Sequence, residues 1–165
     1  MAEKDANTIE QIKDVIYQSC LYQDDLDWSS WLGLCSDDYH YAIRAFSPEI
    51  RADMEYMGGG LEYMKSLTEM LPKHNTDNSP LKRHCTVYKV EIADDGKSAS
   101  ATSSFVVYQT MLDGINSHVD AGESRLFLVG RYNDKFQISD GGVKFSDREV
   151  RLDTRRLDKG SHWPI

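Results

Sequence analysis

Basic residues are in short supply. The chain has 19 Lys and Arg against 27 Asp and Glu over 165 residues, a formal charge of −8. Proteins that grip nucleic acid or an anionic lipid surface need a basic face to neutralise phosphates, so neither nucleic acid nor membrane is an expected partner. Cysteine is equally sparse. Cys20, Cys35 and Cys85 form no Cys-x-x-Cys pair, and none stands two residues from a histidine. No iron–sulfur or zinc site is therefore spelled out, and the three thiols read as buried and free. Only Cys85, beside Arg83 and His84, has an electropositive neighbourhood. Long apolar runs are missing too. The longest, such as residues 105–108, fall far short of the ~20 residues that span a bilayer. Residues 1–7 are polar, without the apolar stretch of a signal peptide, which predicts a flexible N-terminus and a cytoplasmic protein. No linker or low-complexity stretch divides the chain, so residues 1–165 are expected to form a single domain.

What is present is periodicity. Residues 8–23 place Ile9, Ile12, Ile16 and Cys20 at helical spacing, and Thr8 with Gln11 fits a capping box at the start. Asp24, Asp25 and Asp27 interrupt the pattern, and Asp27 is suited to cap a short second helix carrying Trp28, Trp31, Leu32 and Leu34. From Tyr39 the period becomes two, predicting a strand that Pro48 ends. Residues 49–57 are ambiguous. Gly58, Gly59 and Gly60 lack the Lys-Ser/Thr of a phosphate-binding loop and read as a flexible break. Leu61, Met64, Leu67 and Leu71 then form a helix stripe closed by Pro72. The second half is strand after strand: 81–92, 98–112, 123–132, a short piece at 135–138 and 143–153. Turn signals separate them at Asp94 to Lys97, Asp113 to Asn116, Asn133–Asp134 and Asp140 to Gly142.

Helices first and antiparallel strands last define an α+β fold. Long twisted strands with helices on one face curl into a cone, so a cone-shaped, mixed or antiparallel sheet with N-terminal helices packed on it is expected. This layout resembles the nuclear-transport-factor-2-like (SnoaL-like) fold.

Particular residues narrow the resemblance. The acidic, Trp- and Leu-rich stretch over residues 21–41 leads from helix to an aromatic strand start at Tyr39 and Tyr41. Arg83-His84 opens a strand, residues 104–108 fit a hairpin strand, and residues 126–134 and 140–154 close the chain. This ordered set is similar to the small (beta) subunits of ring-hydroxylating dioxygenases, from about residue 9 onward. The resemblance implies a non-catalytic subunit in the degradation of an aromatic hydrocarbon or a small organic acid. It would support a catalytic alpha subunit carrying a Rieske [2Fe–2S] cluster and a mononuclear Fe(II). The implied assembly is an α3β3 hexamer on a beta-subunit homotrimer, served indirectly by a reductase and a ferredoxin. The beta chain itself would carry no cofactor, metal or catalytic residue.

The residues can also be asked for chemistry directly. A mononuclear iron needs two His and a carboxylate, and the closest local set is Asp113 with His118, in a polar turn where both are expected to be solvated. The alternative reading is a stand-alone dehydratase or isomerase of the SnoaL or scytalone-dehydratase kind. Such an enzyme would use an Asp/His pair and Tyr hydroxyls in the cone, with Asp24, Asp25, Tyr39, Tyr41 and His84 as its candidates. A third is a ligand-binding module without catalysis. Finally, the C-terminal tail, residues 154–165, combines charge with an aromatic end. Arg155, Arg156, His162, Trp163 and Ile165 are read as anchors on a neighbouring subunit, because Trp and Arg favour interfaces.

Overall fold

A computed structural model of the chain describes residues 2–74, 77–112, 121–155 and 163–165, residues 2–4 by their backbone only. The elements run α1 (Ala2–Asp24), α2 (Trp28–Gly33), β1 (Cys35–Ser47), β2 (Ala52–Gly60), α3 (Leu61–His74), β3 (Leu81–Ile92), β4 (Ser98–Thr110), β5 (Ser124–Ser139) and β6 (Gly142–Leu152). The six strands form one sheet in the order β2-β1-β6-β5-β4-β3. Only the β1–β6 pair is parallel, so the sheet is mixed. Each of the five ladders carries one register shift, and such bulges bend long strands. The helices lie on the face so enclosed: α1 over β3 and β6, α3 over β1 and β2, α2 between α1 and α3. Among the described residues no helix is long and apolar enough to cross a membrane.

The helical stripe behaves as its spacing dictates. Ile12, Ile16, Ser19, Cys20 and Gln23 are all buried on one side of α1. The helix starts at Ala2, however, so residues 2–7 are helical and Thr8 lies inside α1 instead of capping it. Asp27 does cap α2, its carboxylate accepting the Ser30 N–H at 3.1 Å. Pro72 sits inside the last turn of α3 rather than ending it. Lacking an N–H, it forfeits one helical bond only, near a terminus where such bonds fray anyway.

Two loop expectations are overturned. Residues 52–60 form β2, and Gly58, Gly59 and Gly60 pair with Ala42, Tyr41 and His40. A Cβ on Gly59 would stand 2.4 Å from the Tyr63 ring, so here glycine admits α3 against the strand end. Asn133–Asp134 makes no turn either: β5 runs through it for 16 residues. The turn propensity of Asn-Asp yields to tertiary pairing, since both residues are in register with β4 and β6.

The core joins Ile12, Ile16 and Trp31 from the helices to Tyr41, Ile43, Phe105, Val107, Leu128, Tyr132, Phe136, Phe145 and Val150 from the sheet. At Gly130 the backbone comes close to β6: an added Cβ would lie 2.2 Å from the Arg151 carbonyl oxygen and 2.9 Å from the Phe105 ring. Gly130→Ala therefore has to move backbone, and it should lower stability by about 1–3 kcal/mol. Equilibrium urea unfolding monitored by far-UV circular dichroism measures this directly. A wild-type midpoint for Gly130→Ala would contradict the geometry.

Candidate functional site

Charge is buried at two places inside the curve of the sheet. The first is Arg148 with Asp134, neighbours in the β5–β6 register. Their side chains are 1% and 0% exposed and meet in a two-bond fork, Nε to Oδ1 at 2.8 Å and Nη2 to Oδ2 at 2.9 Å. Arg148 Nη1 donates to Ser19 Oγ at 3.0 Å, tying α1 to the sheet, and Ser19 Oγ donates in turn to the Ile16 carbonyl. The guanidinium lies over the Tyr132 and Phe145 rings, 4.2 and 4.5 Å from their centroids. Burial opposes charge on Arg148, but the Asp134 carboxylate outweighs it and raises the guanidinium pKa further.

The second place is the mouth of the cone. Asp24 ends α1, and its side chain is 3% exposed. It accepts from the Arg83 guanidinium at 2.7 Å and from the Arg83 main-chain N–H at 3.1 Å. Arg83 Nη2 also donates to the Pro164 carbonyl at 2.8 Å. Ile165 is fully buried: its N–H donates to the Tyr41 hydroxyl at 2.7 Å, and that hydroxyl donates to the Ile165 main-chain oxygen at 3.1 Å. Burial pushes the Tyr41 hydroxyl pKa well up, so it serves as a neutral donor. Trp163 stacks on Trp28 with centroids 5.8 Å apart, and Trp31 meets Trp28, Tyr39 and Tyr41 edge-on. The segment 163–165 therefore fills the mouth of its own cone.

This arrangement sorts the candidate residues. The side chains of Asp24, Tyr39 and Tyr41 are all buried, but Asp25 and His84 are exposed. Strand alternation sends Arg83 inward and His84 to the outer face, where its ring meets Tyr108 edge-on at 5.6 Å. The pairing of Asp24 or Asp25 with His84 that the dehydratase reading requires is thus not assembled: Asp24 meets the Arg83 guanidinium instead. Trp163 and Ile165, expected on a neighbouring subunit, pack into their own chain, because the aromatic α2 and the Arg83 guanidinium give them a buried, hydrogen-bonded seat. Arg155 is exposed, pairs with Glu49, and accepts the Tyr56 hydroxyl on its carbonyl. Arg156, His162, Asp113 and His118 lie outside the described residues. Among the described residues no group of three or more His, Cys, Asp or Glu side chains gathers as a metal site would require. A surface groove of about 620 Å³ between α2 and α3 offers Asp37, Glu69, Lys65 and Lys144 but no histidine.

Sequence reasoning missed Arg148, Asp134 and Gln23. The available signal was the alternation of Tyr132, Asp134 and Phe136, which places a carboxylate on the apolar face of β5 and demands a cationic partner. It also missed that Cys20 lies near Cys85, which with Arg148 and Arg83 draws the Cys20 thiol pKa down against its burial, while burial lifts Cys35 to about 12.

Arg148→Ala leaves Asp134 buried and uncompensated and should cost about 3–5 kcal/mol. Joint replacement by apolar residues of similar volume, Arg148→Met with Asp134→Leu, should recover most of that loss. Urea midpoints of the single and double variants measure the coupling. Additive losses would show that the pair acts by packing alone.

Comparison with known proteins fits this geometry. A family model described as SnoaL-like domain matches residues 4–149. The methanesulfonate monooxygenase hydroxylase subunit beta of Methylosulfonomonas methylovora is 53% identical over 154 residues, covering 93% of this chain and 85% of that one. The 2-aminobenzenesulfonate 2,3-dioxygenase subunit beta of an Alcaligenes species is 27% identical over 154 residues, covering 93% and 97%. Among solved structures, the beta subunit of a putative aromatic-ring-hydroxylating dioxygenase from Novosphingobium aromaticivorans superposes with a TM-score of 0.75 at 24% identity, covering 98% of this chain and 99% of that one. The protein belongs to the SnoaL-like family, and within it to the beta subunits of ring-hydroxylating oxygenases.

Proposed function

We propose that this chain is the non-catalytic beta subunit of a terminal oxygenase and acts as one cone domain that seats and supports a catalytic alpha subunit. The observation that carries the reading is the 53% identity, across 93% of the chain, with a hydroxylase subunit beta. The geometry agrees with it. The centre of the cone is taken by Arg148 and Asp134, its mouth by residues 163–165, and His84 faces away from both. The partner supplies the chemistry, through a Rieske [2Fe–2S] cluster and a mononuclear Fe(II) fed by a reductase and a ferredoxin. The assembly is an α3β3 hexamer in the cytoplasm. Arg155, exposed at the sheet edge, is retained as a docking residue, with Arg156 and His162 beside it in sequence.

Both curated relatives are named for the oxygenation of a sulfonate, one aliphatic and one aromatic. The substrate class of the complex is accordingly an organosulfonate rather than an aromatic hydrocarbon, and the higher identity favours a short alkanesulfonate.

Co-expression with a candidate oxygenase alpha subunit from the same genome tests the reading. Size-exclusion chromatography with light scattering should give a complex of equal stoichiometry, with iron present in the complex and absent from this chain purified alone. An iron-free isolated chain that dehydrates or isomerises a cyclic substrate would overturn the proposal in favour of the stand-alone enzyme.

A further inference from the structure

A cavity of about 70 Å³ lies beneath Trp163, between the end of α1 and the start of β3. Its polar lining is unsatisfied. Gln23 is 1% exposed and lines the cavity, yet neither its amide nitrogen nor its amide oxygen has a partner. Arg83 engages Asp24 through Nη1 and Pro164 through Nη2, but its Nε, also buried, has none. Ser79 lines the same space, and its hydroxyl oxygen accepts the Leu112 N–H at 3.3 Å, which leaves its own proton to donate. Buried polar atoms without partners are rare in folded proteins because each forfeits its bonds to water. Orphans on two neighbouring side chains, both bordering one enclosed space, mark a place where something binds.

The chemistry of the lining specifies what. Among the groups left without a partner donors outnumber acceptors: the Gln23 amide N–H groups, the Arg83 Nε–H and the Ser79 O–H stand against one Gln23 oxygen. The Arg83 guanidinium carries the one positive charge of the lining, and the Asp24 carboxylate, also in the lining, pairs with it at 2.7 Å through Nη1, leaving Nε free to donate. Trp28, Trp163 and Leu81 supply the apolar walls. The volume admits only a few heavy atoms. A head rich in unpartnered donors, with apolar walls, fits an oxyanion on a very short carbon chain.

We propose that this cavity binds a short-chain carboxylate or sulfonate. Its oxygens take the N–H groups of Arg83 Nε and Gln23, its methyl group rests against Trp28 and Trp163, and the 163–165 segment forms the roof. The site goes beyond the assembly role and does not depend on it, so the isolated full chain suffices for the test.

Thermal unfolding of the full chain is measured with sodium methanesulfonate or sodium acetate against sodium chloride at equal ionic strength. At ten times the dissociation constant either organic anion should raise the midpoint by about 3–6 °C, saturably, with no matching rise in chloride. Gln23→Leu removes both orphan amide atoms and should fold at least as stably as wild type, yet lose the ligand-induced rise. Equal rises in both proteins, or none beyond chloride, would overturn the site and leave the cavity to water. A second measurement holds even for a variant that does not fold. In the wild-type chain, nuclear Overhauser contacts should appear between the methanesulfonate methyl and the indole protons of Trp28 and Trp163. Their absence at saturating ligand counts equally against the proposal.

Discussion

The Arg148–Asp134 fork is the constraint around which the fold is arranged. Two formal charges at 1% and 0% exposure are tolerated only when each satisfies the other and the remaining donors find partners. That condition fixes the β5–β6 register, because the two residues must stand opposite each other. It holds α1 against the sheet through Ser19, and it requires aromatic faces, Tyr132 and Phe145, on either side of the guanidinium. The centre of the cone is thereby filled with a rigid, two-bond ion pair. A fold that elsewhere can enclose a reaction chamber here encloses a strut.

The mouth follows the same logic with different partners. Arg83 gathers Asp24 from α1 and Pro164 from the tail, and Tyr41 holds Ile165 at both ends of its main chain. The aromatic line from Trp163 through Trp28 and Trp31 to Tyr39 and Tyr41 continues the core out to the surface. A chain whose interior is braced and stoppered in this way is suited to bear load for a partner. The outer face carries its own network, in which Arg44 bridges Glu55 and Glu149 while Arg151 bridges Asp53 and Glu149. Such exposed pairs add little stability singly, but together they order a charged surface that can meet another subunit.

Elements that announce themselves locally were legible. The 3.6-residue stripe of Ile12, Ile16 and Cys20, the Asp27 cap and the period-two strands at 81–92 and 98–110 needed only their own neighbours. Illegible elements took their form from distant residues. Gly58, Gly59 and Gly60 became strand because β1 offered them a ladder, and Asn133–Asp134 stayed extended because Arg148 was waiting on β6. The candidate site divided in the same way. Asp24 and Tyr41 were found by type, whereas their true partners, Arg83 and Ile165, lie 59 and 124 residues away in sequence.

By itself the sequence determined the fold class, the family resemblance and the poverty of metal ligands, since these reside in composition, in periodicity and in the order of short segments. The tertiary structure decided which face each side chain took. Alternation along β3, once its pairing with β4 was set, turned Arg83 inward and His84 outward. That one rotation of a strand replaced a proton-transfer pair with a fixed ion pair. The return of residues 163–165 to the cone mouth was likewise settled only in three dimensions, because burying Trp163 and Ile165 depended on a hydrogen-bonded seat whose parts come from four separate segments of the chain.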